Sequence, residues 1–308
     1  MSFTSLQQED RIMILIGLYD LVVDFHRLLI AKLPPSLPMP DQTHPPTKKT
    51  KLPLVMLVTL VLFRFFTGHG NWKDYYRHLK SYHHGKDIGL LPNYKNFMRS
   101  VHQLVGYALV FFEALRKQCK QGVNLQFADS TRLQACNIKR EFIHKVAKDV
   151  ATKSKSTMGW FYGFRLHLVC DTHGRILAWR ITTAAFDERK GLALIWEDLV
   201  GLIVADAGYL GYNWQMAASE LGLTLMTAVK KNMKKLMSKW QHQLLKARQR
   251  VETVYSVLKL RMGLETTLPR SVMGFFAHYV WCLTAYQLKA FGKALSSAAT
   301  PHLTGGVA

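Results

Sequence analysis

The sequence predicts an α/β protein: a mixed sheet flanked by helices, preceded by an all-helical N-terminal region. Three observations point there. Apolar residues recur at helical spacing up to about residue 120. Past Gly122 the runs become β-rich, and two of them face each other across the turn from Asp171 to Gly174. Short apolar strands then alternate with helical stretches, the pattern of a mixed sheet.

The elements follow in order. Residues 9–32 carry Ile12, Leu15, Leu18, Val22, Phe25 and Leu29 on one helical stripe. Seven of the ten prolines then lie between Pro34 and Pro53. Proline cannot continue a helix, so 33–53 is predicted as an extended linker, with a small basic cluster at Lys48, Lys49 and Lys51. Helices are predicted again over 54–66, 72–83 and 94–120. VNLQFAD is a predicted strand ending at Asp129, and residues 160–182 a hairpin with Asp171 as its turn residue. Asp187 is placed to cap a helix over 188–200, its simplest role, rather than to bind metal. GLIVAD is a short buried strand ending at Asp206, and LTLMTAV is another. Helices are predicted over 212–221, 238–262 and 271–291. The division expected is a helical region over 1–121, an α/β domain over 122–292 and a frayed tail over 293–308.

Charge narrows the partners. Lys and Arg number 41 against 20 acids, a net +21, and 49% of residues are apolar. That is a globular chain suited to a polyanion, nucleic acid being the commonest, although a merely soluble basic protein would also fit. The four cysteines have neither zinc-ligand spacing nor the density of a disulfide framework, and they suit a reducing compartment. The N-terminus lacks the pattern of a secretory signal. The most apolar run, 52–63, is shorter than the roughly 20 residues that cross a bilayer, so a buried helix and no membrane are expected.

Glu252 is the most informative residue. Between Ala228 and Arg261 it stands as one carboxylate among ten Lys or Arg. A surface that only holds polyphosphate gains nothing from an acid; one that also holds a divalent cation needs it. Asp129 and Asp206 end predicted strands, and carboxylates at neighbouring strand ends converge at one edge of an open sheet. Oxygen ligands of this kind suit Mg²⁺ or Mn²⁺. Two such ions would activate a water or a 3′-OH and stabilise the leaving oxygen. Arg248, Glu252, Tyr255 and Lys259 share one helix face, which could hold metal and phosphates together. Taken alone, that helix reads equally as a solvated face with one Arg–Glu pair. Arg165 and His167 lie two apart on a predicted strand and so face the same side. Trp160, Phe161 and Tyr162 suit either core packing or stacking on splayed bases. Lys139, Arg140, Lys145, Lys148, Lys153 and Lys155 form a basic, loosely helical insertion expected to bind phosphates non-specifically. The His69, His78, His83 and His84 cluster and Trp72, Tyr75, Tyr76 and Arg77 suit either DNA contact or a structural bundle.

Asp-Ser after a strand, WFYGFRLHLV, VADAGY, KKNMKK and Arg248-x3-Glu252-x6-Lys259 together resemble the DDE transposases of bacterial insertion sequences, in particular the insertion sequence 982 family. The resemblance covers roughly 123–289. It implies an RNase H-like catalytic fold in which Asp129, Asp206 and Glu252 hold two Mg²⁺ or Mn²⁺ ions. It implies cleavage at the element's ends, then transfer of the 3′-OH into target DNA. Arg165, His167, Lys230, Lys231, Lys234, Arg248 and Lys259 would contact DNA. The implied partners are terminal inverted repeats and target DNA, bound by a homodimer or higher assembly in the bacterial cytoplasm. The N-terminal helices would bind DNA or pair subunits. Two departures stand out: Leu245 replaces the tyrosine of the related Tyr-x2-Arg-x3-Glu-x6-Lys signature, leaving that contact absent or supplied by a residue such as Tyr255, and Thr183, Ala184 and Ala185 replace the usual proline and glycine. They keep two other readings open: an inactive or domesticated DNA-binding relative, and a structure-specific endonuclease on the same fold.

Overall fold

Six strands make one mixed sheet in the computed structural model, which describes residues 8–32, 52–82, 91–228, 237–265 and 269–297. The strands are β1 (Leu125–Cys136), β2 (Thr152–Ser156), β3 (Gly159–Asp171), β4 (Ile176–Thr183), β5 (Gly201–Ala205) and β6 (Leu223–Thr227). Their order is β2-β3-β1-β5-β6, with β4 also paired to β3. β1 lies antiparallel to β3 on one side and parallel to β5 on the other. β5 and β6 are parallel. The sheet belongs to a unit of Leu115–Val257 and Ala290–Ala298.

Two strands differ from expectation. β1 does not end at Asp129 but runs on to Cys136, because β3 is long enough to pair with it throughout. The polar residues past Asp129 conceal a period of two, in which Leu133 and Ala135 are buried between half-exposed neighbours. β2 lies in the insertion expected to be loosely helical. Its sequence, TKSKS, has no apolar residue on either face, so no periodicity betrays it. The rest of that insertion includes a 3₁₀ turn over Ile138–Ile143.

The hairpin is as expected. Asp171 accepts hydrogen bonds from the N–H groups of His173 (2.9 Å) and Arg175 (2.8 Å) at the β3–β4 turn. Sheet residues Ala128, Val169, Ile203 and Leu225 share one core with Leu192, Ile195, Trp196, Leu199 and Ala218. Burying each large apolar side chain there stabilises the unit by roughly 1.5–3 kcal/mol before the loss of chain entropy is counted. α6 (Glu188–Ala193) is shorter than expected, and the turns after it wedge Ile195 and Trp196 into that core. α7 (Tyr212–Glu220) packs on β6. The helix expected over 238–262 is interrupted. α8 (Lys239–Ala247) starts at a capping box of Ser238 and Gln241, breaks at Arg248, and gives way to α9 (Gln249–Ser256) and a π turn over Val257–Arg261.

The other unit comprises Met1–Ala114, Leu258–Lys289 and Ala299–Ala308. Its described helices are α1 (Gln8–Lys32), α2 (Leu54–Phe63), α3 (Trp72–Tyr82), α4 (Tyr94–Gln103), α5 (Val105–Lys120) up to Ala114, and α10 (Val272–Ser297) up to Lys289. α10 is thus grouped with the early helices, where the sequence alone groups 122–292 together. Trp281 Nε1 donates to Val101 O (2.9 Å) and Thr284 Oγ1 to Ala108 O (3.2 Å). α2 is apolar on every face and buried from Leu57 onward, which accounts for its composition. Phe25 stacks on Phe111 at 4.2 Å. Trp72 and Tyr75, possible DNA contacts by sequence, are core residues, and the Tyr75 hydroxyl donates to Leu60 O. No described helix is long and apolar enough to cross a membrane. The proline-rich segment over 33–51, His83, His84 and the end of the tail lie outside the described residues.

Candidate active site

β1 and β5 position two of the three expected acids. Across this parallel pair Phe127 aligns with Val204. Asp129 and Asp206 each stand two residues further on, at the edge where β5 stops and β1 continues. Asp206 follows β5 directly and caps a 3₁₀ turn, its Oδ1 accepting from Ala207 N (2.8 Å). Asp129 is half-buried, with Oδ1 accepting from Ser130 N (2.8 Å). Burial pushes its carboxyl up to about 6, and nearby Glu188 and Asp206 add to the rise against the pull of Ser130 and Arg248. A carboxylate held at that cost beside two other acids suits a cation.

Glu252 arrives on α9. The Tyr255 hydroxyl, buried beneath it, donates to the Asp129 carbonyl (2.7 Å) and fixes α9 to β1. Tyr255 is therefore engaged inside the unit and is not the substitute DNA contact expected from Leu245. Between the acids lies Arg248. Its Nη1 is 3.3 Å from Asp129 Oδ2 and its Nη2 is 3.1 Å from Glu252 Oε1. Among the described residues no three His, Cys, Asp or Glu are close enough together to hold an ion. The donor chemistry of Asp129, Asp206 and Glu252 fits a hard divalent cation. In this structure the Arg248 guanidinium, not another carboxylate, stands between Asp129 and Glu252.

The other expected DNA contacts separate. Arg165, on β3, donates to Ser130 Oγ (3.2 Å) and forms a short ion pair with Glu188. His167 is only 1% exposed and its Nε2 meets Thr182 Oγ1 at 2.9 Å. Burial, with Arg165 beside it, pushes His167 down to about 4, so the ring is neutral, and it lies too deep in the fold to meet a phosphate. Gly191 of α6 explains the burial: a Cβ there would stand 2.1 Å from the imidazole, so only glycine lets α6 close over it. Lys259 pairs with Glu265 (3.2 Å) in the helical unit. The π turn adds a residue to the helical repeat, so the i, i+4, i+7, i+11 face expected from Arg248 does not continue to Lys259. Lys230, Lys231 and Lys234 lie outside the described residues.

Asp187 caps α6 as expected, accepting from the N–H groups of Arg189 (2.9 Å) and Lys190 (3.2 Å). The Arg189 side chain on it holds its carboxyl below the ordinary value. The acid that sequence reasoning passes over is the next residue, Glu188, which raises Asp129 and pairs with Arg165. Tyr209 is missed too; it is buried, and its hydroxyl is hydrogen-bonded to Ser130. The only signal for either is adjacency, in FDERK and VADAGY, to acids already singled out.

Residues 117–272 match the family described as "Transposase DDE domain". The fold is similar to that in the cryo-EM structure of the piggyBac transposase synaptic complex with hairpin DNA, with a TM-score of 0.50 and 9% sequence identity, covering 92% of this chain and 76% of that one. No curated protein matches the chain.

Proposed function

Because the chain belongs to the transposase DDE domain family, we propose that it cuts DNA at the ends of a mobile element and joins the freed 3′-OH to target DNA. The observation that carries this reading is that Asp129 and Asp206 each follow the Phe127–Val204 pair of the parallel β1–β5 ladder by two residues, with Glu252 on the helix docked against β1. The strand order, antiparallel on one side of β1 and parallel on the other, supports an RNase H-like sheet. The order of motifs supports an insertion sequence 982-type element of bacterial, cytoplasmic origin, acting as a homodimer or larger assembly on its terminal repeats.

Asp129 and Asp206 would hold Mg²⁺ or Mn²⁺, with Glu252 as the third ligand; two such ions supply a lowered pKa for the attacking water or 3′-OH and neutralise charge at the phosphorus. Arg248, displaced from the carboxylates, would turn its guanidinium to a phosphate, the bidentate role its geometry suits. Arg165 is held inside by Glu188 and Ser130, so it would add positive potential beside the acids and reach a phosphate only after giving up Glu188. In the first step water attacks the phosphodiester and leaves a 3′-OH on the element. In the second that hydroxyl attacks target phosphorus and expels the target's 3′-oxygen. Both are in-line displacements, so one site serves both.

One observation favours a second reading, a DNA-binding relative without catalysis: Arg248 bridges Asp129 and Glu252 where a cation would lie. The test is a plasmid excision and strand-transfer assay with Mg²⁺ or Mn²⁺, using flanking DNA that contains the element's ends, with Asp206→Asn and Glu252→Gln beside the unaltered protein. Joined product lost in both variants, with DNA binding intact, supports the transposase. Cutting without joining supports the endonuclease, and binding without either reaction supports the relative.

A further inference from the structure

We propose that Trp160 and Phe142, with Lys153 and Lys155, form a stacking site for single-stranded DNA on the insertion between β1 and β3. The inference rests on the DNA-handling reading above and gives it a surface outside the carboxylate cluster.

The structure separates three consecutive aromatics. Phe161 is fully buried and Tyr162 is 9% exposed, while Trp160 is 55% exposed. Phe142, at the end of the 3₁₀ turn, is 92% exposed. Two large rings left in water forgo the burial that their size would otherwise give, and such patches mark binding surfaces. Lys153 lies between them, its Nζ 6.0 Å from the Phe142 ring centre and 5.5 Å from that of Trp160. Lys155, directly across the β2–β3 pair from Trp160, places its Nζ 6.0 Å from the same ring.

The occupant follows from charge and ring chemistry together. The insertion also carries Lys139, Arg140, Lys145 and Lys148, against the acids Glu141 and Asp149. An apolar protein partner would have to bury six cations with only Glu141, already paired to Lys153, and Asp149 to offset them. A polynucleotide supplies a phosphate for each ammonium and a π face for each ring, whatever the base. A duplex hides those faces in its own stack, so the ligand is an unpaired stretch. On binding, a base takes the face of Trp160 and the lysine ammonium moves from the ring to the neighbouring phosphate. Both lysines are exposed, so this needs no rearrangement of the sheet, and Lys153 exchanges its 2.6 Å ion pair with Glu141 for the phosphate.

The experiment is fluorescence anisotropy on the full chain with two probes, an oligothymidylate of about 12 nucleotides and a blunt duplex, across a salt series. Trp160→Ala should weaken oligothymidylate binding at least about five-fold and leave the duplex within about two-fold. Trp160→Phe should restore binding, and Trp160→Leu, which keeps the apolar area without an aromatic face, should not. Lys153→Ala with Lys155→Ala should flatten the salt dependence, by a slope of roughly 0.7 for each phosphate that is no longer neutralised. The proposal is overturned if the unaltered protein fails to bind oligothymidylate, if Trp160→Ala weakens both probes equally, or if Trp160→Leu binds as well as the unaltered chain. It is also overturned if the variants change only self-association by analytical ultracentrifugation, which would make the rim a contact with a second copy. Asp206→Asn separates this from the transposase reading. If no protein joins DNA ends but oligothymidylate binding depends on Trp160, the transposase reading fails and the stacking site stands. If joining requires Asp206 but oligothymidylate binding ignores Trp160, the stacking site fails alone.

Discussion

Replacing Asp129 by Asn should stabilise the sheet unit in the absence of metal, even as it removes a proposed catalytic group. Asp129 is raised from 3.8 to about 6, chiefly by burial. At about 1.4 kcal/mol per pKa unit, keeping it ionised costs the folded state up to about 3 kcal/mol. Asn has the same shape without the charge. The cost of ionisation already contains the opposing pull of Arg248 on the carboxylate, so the lost Arg248–Asp129 pair is not subtracted again. The net gain expected at pH 8 is up to about 3 kcal/mol, a rise in melting temperature of up to roughly 6–12 °C for a unit of this size. The sign of the pH dependence is definite. Below pH 3.8 the carboxyl is neutral whether the chain is folded or not, so the variant has no advantage from charge. Between pH 3.8 and about 6 the folded protein binds the extra proton, so its stability falls as pH rises, and the advantage of the variant grows to a plateau above 6. Calorimetric melting of both proteins in EDTA across that range measures the difference directly, with shared acid effects cancelling. Adding Mg²⁺ at pH 8 should raise the melting temperature of the unaltered protein and leave Asp129→Asn nearly where it was. A variant less stable at pH 8, or a difference that does not vary with pH, would refute the argument.

Arg248→Ala should lower stability by about 1–2 kcal/mol without metal, because Asp129 and Glu252 then face each other without a counter-charge; thermal melts should show Mg²⁺ recovering most of the loss. His167→Gln should flatten a pH dependence of opposite sign to that of Asp129. The unfolded chain takes up a proton near pH 6.5 and the folded one only near 4, so the unaltered protein loses up to about 3 kcal/mol as pH falls between them. Denaturant titrations at several pH values check this. Gly191→Ala should cost about 1–3 kcal/mol, since its Cβ would meet the His167 ring at 2.1 Å, read as a lower urea midpoint together with weaker DNA binding through the displaced Glu188–Arg165 pair.

Much of this chain is written locally. Leu57 to Phe63 reads as a buried helix and GLIVAD as a buried strand from composition and length, and the β-branched and aromatic run WFYGFRLHLV as a strand. Asp171 and Asp187 announce a turn and a cap because their side chains reach backbone N–H groups only a few residues away. The basic surround of Glu252 and the order of the motifs point to the transposase family by themselves. What depends on distant parts of the chain is hidden. β2 carries no apolar residue, so its existence depends on β3 offering an edge to pair with. That β1 and β5 are parallel neighbours brings together two acids 77 positions apart, and no local pattern encodes that pairing. The burial of His167, the presence of Glu188 beside Asp129 and the bridging position of Arg248 are also tertiary facts. The sequence by itself determined most of the elements, the charge and the chemical class, because those depend on each residue and its near neighbours. The tertiary structure alone decided which acids meet and which cation stands between them, because electrostatic contact falls off within ångströms and depends on how remote segments are packed.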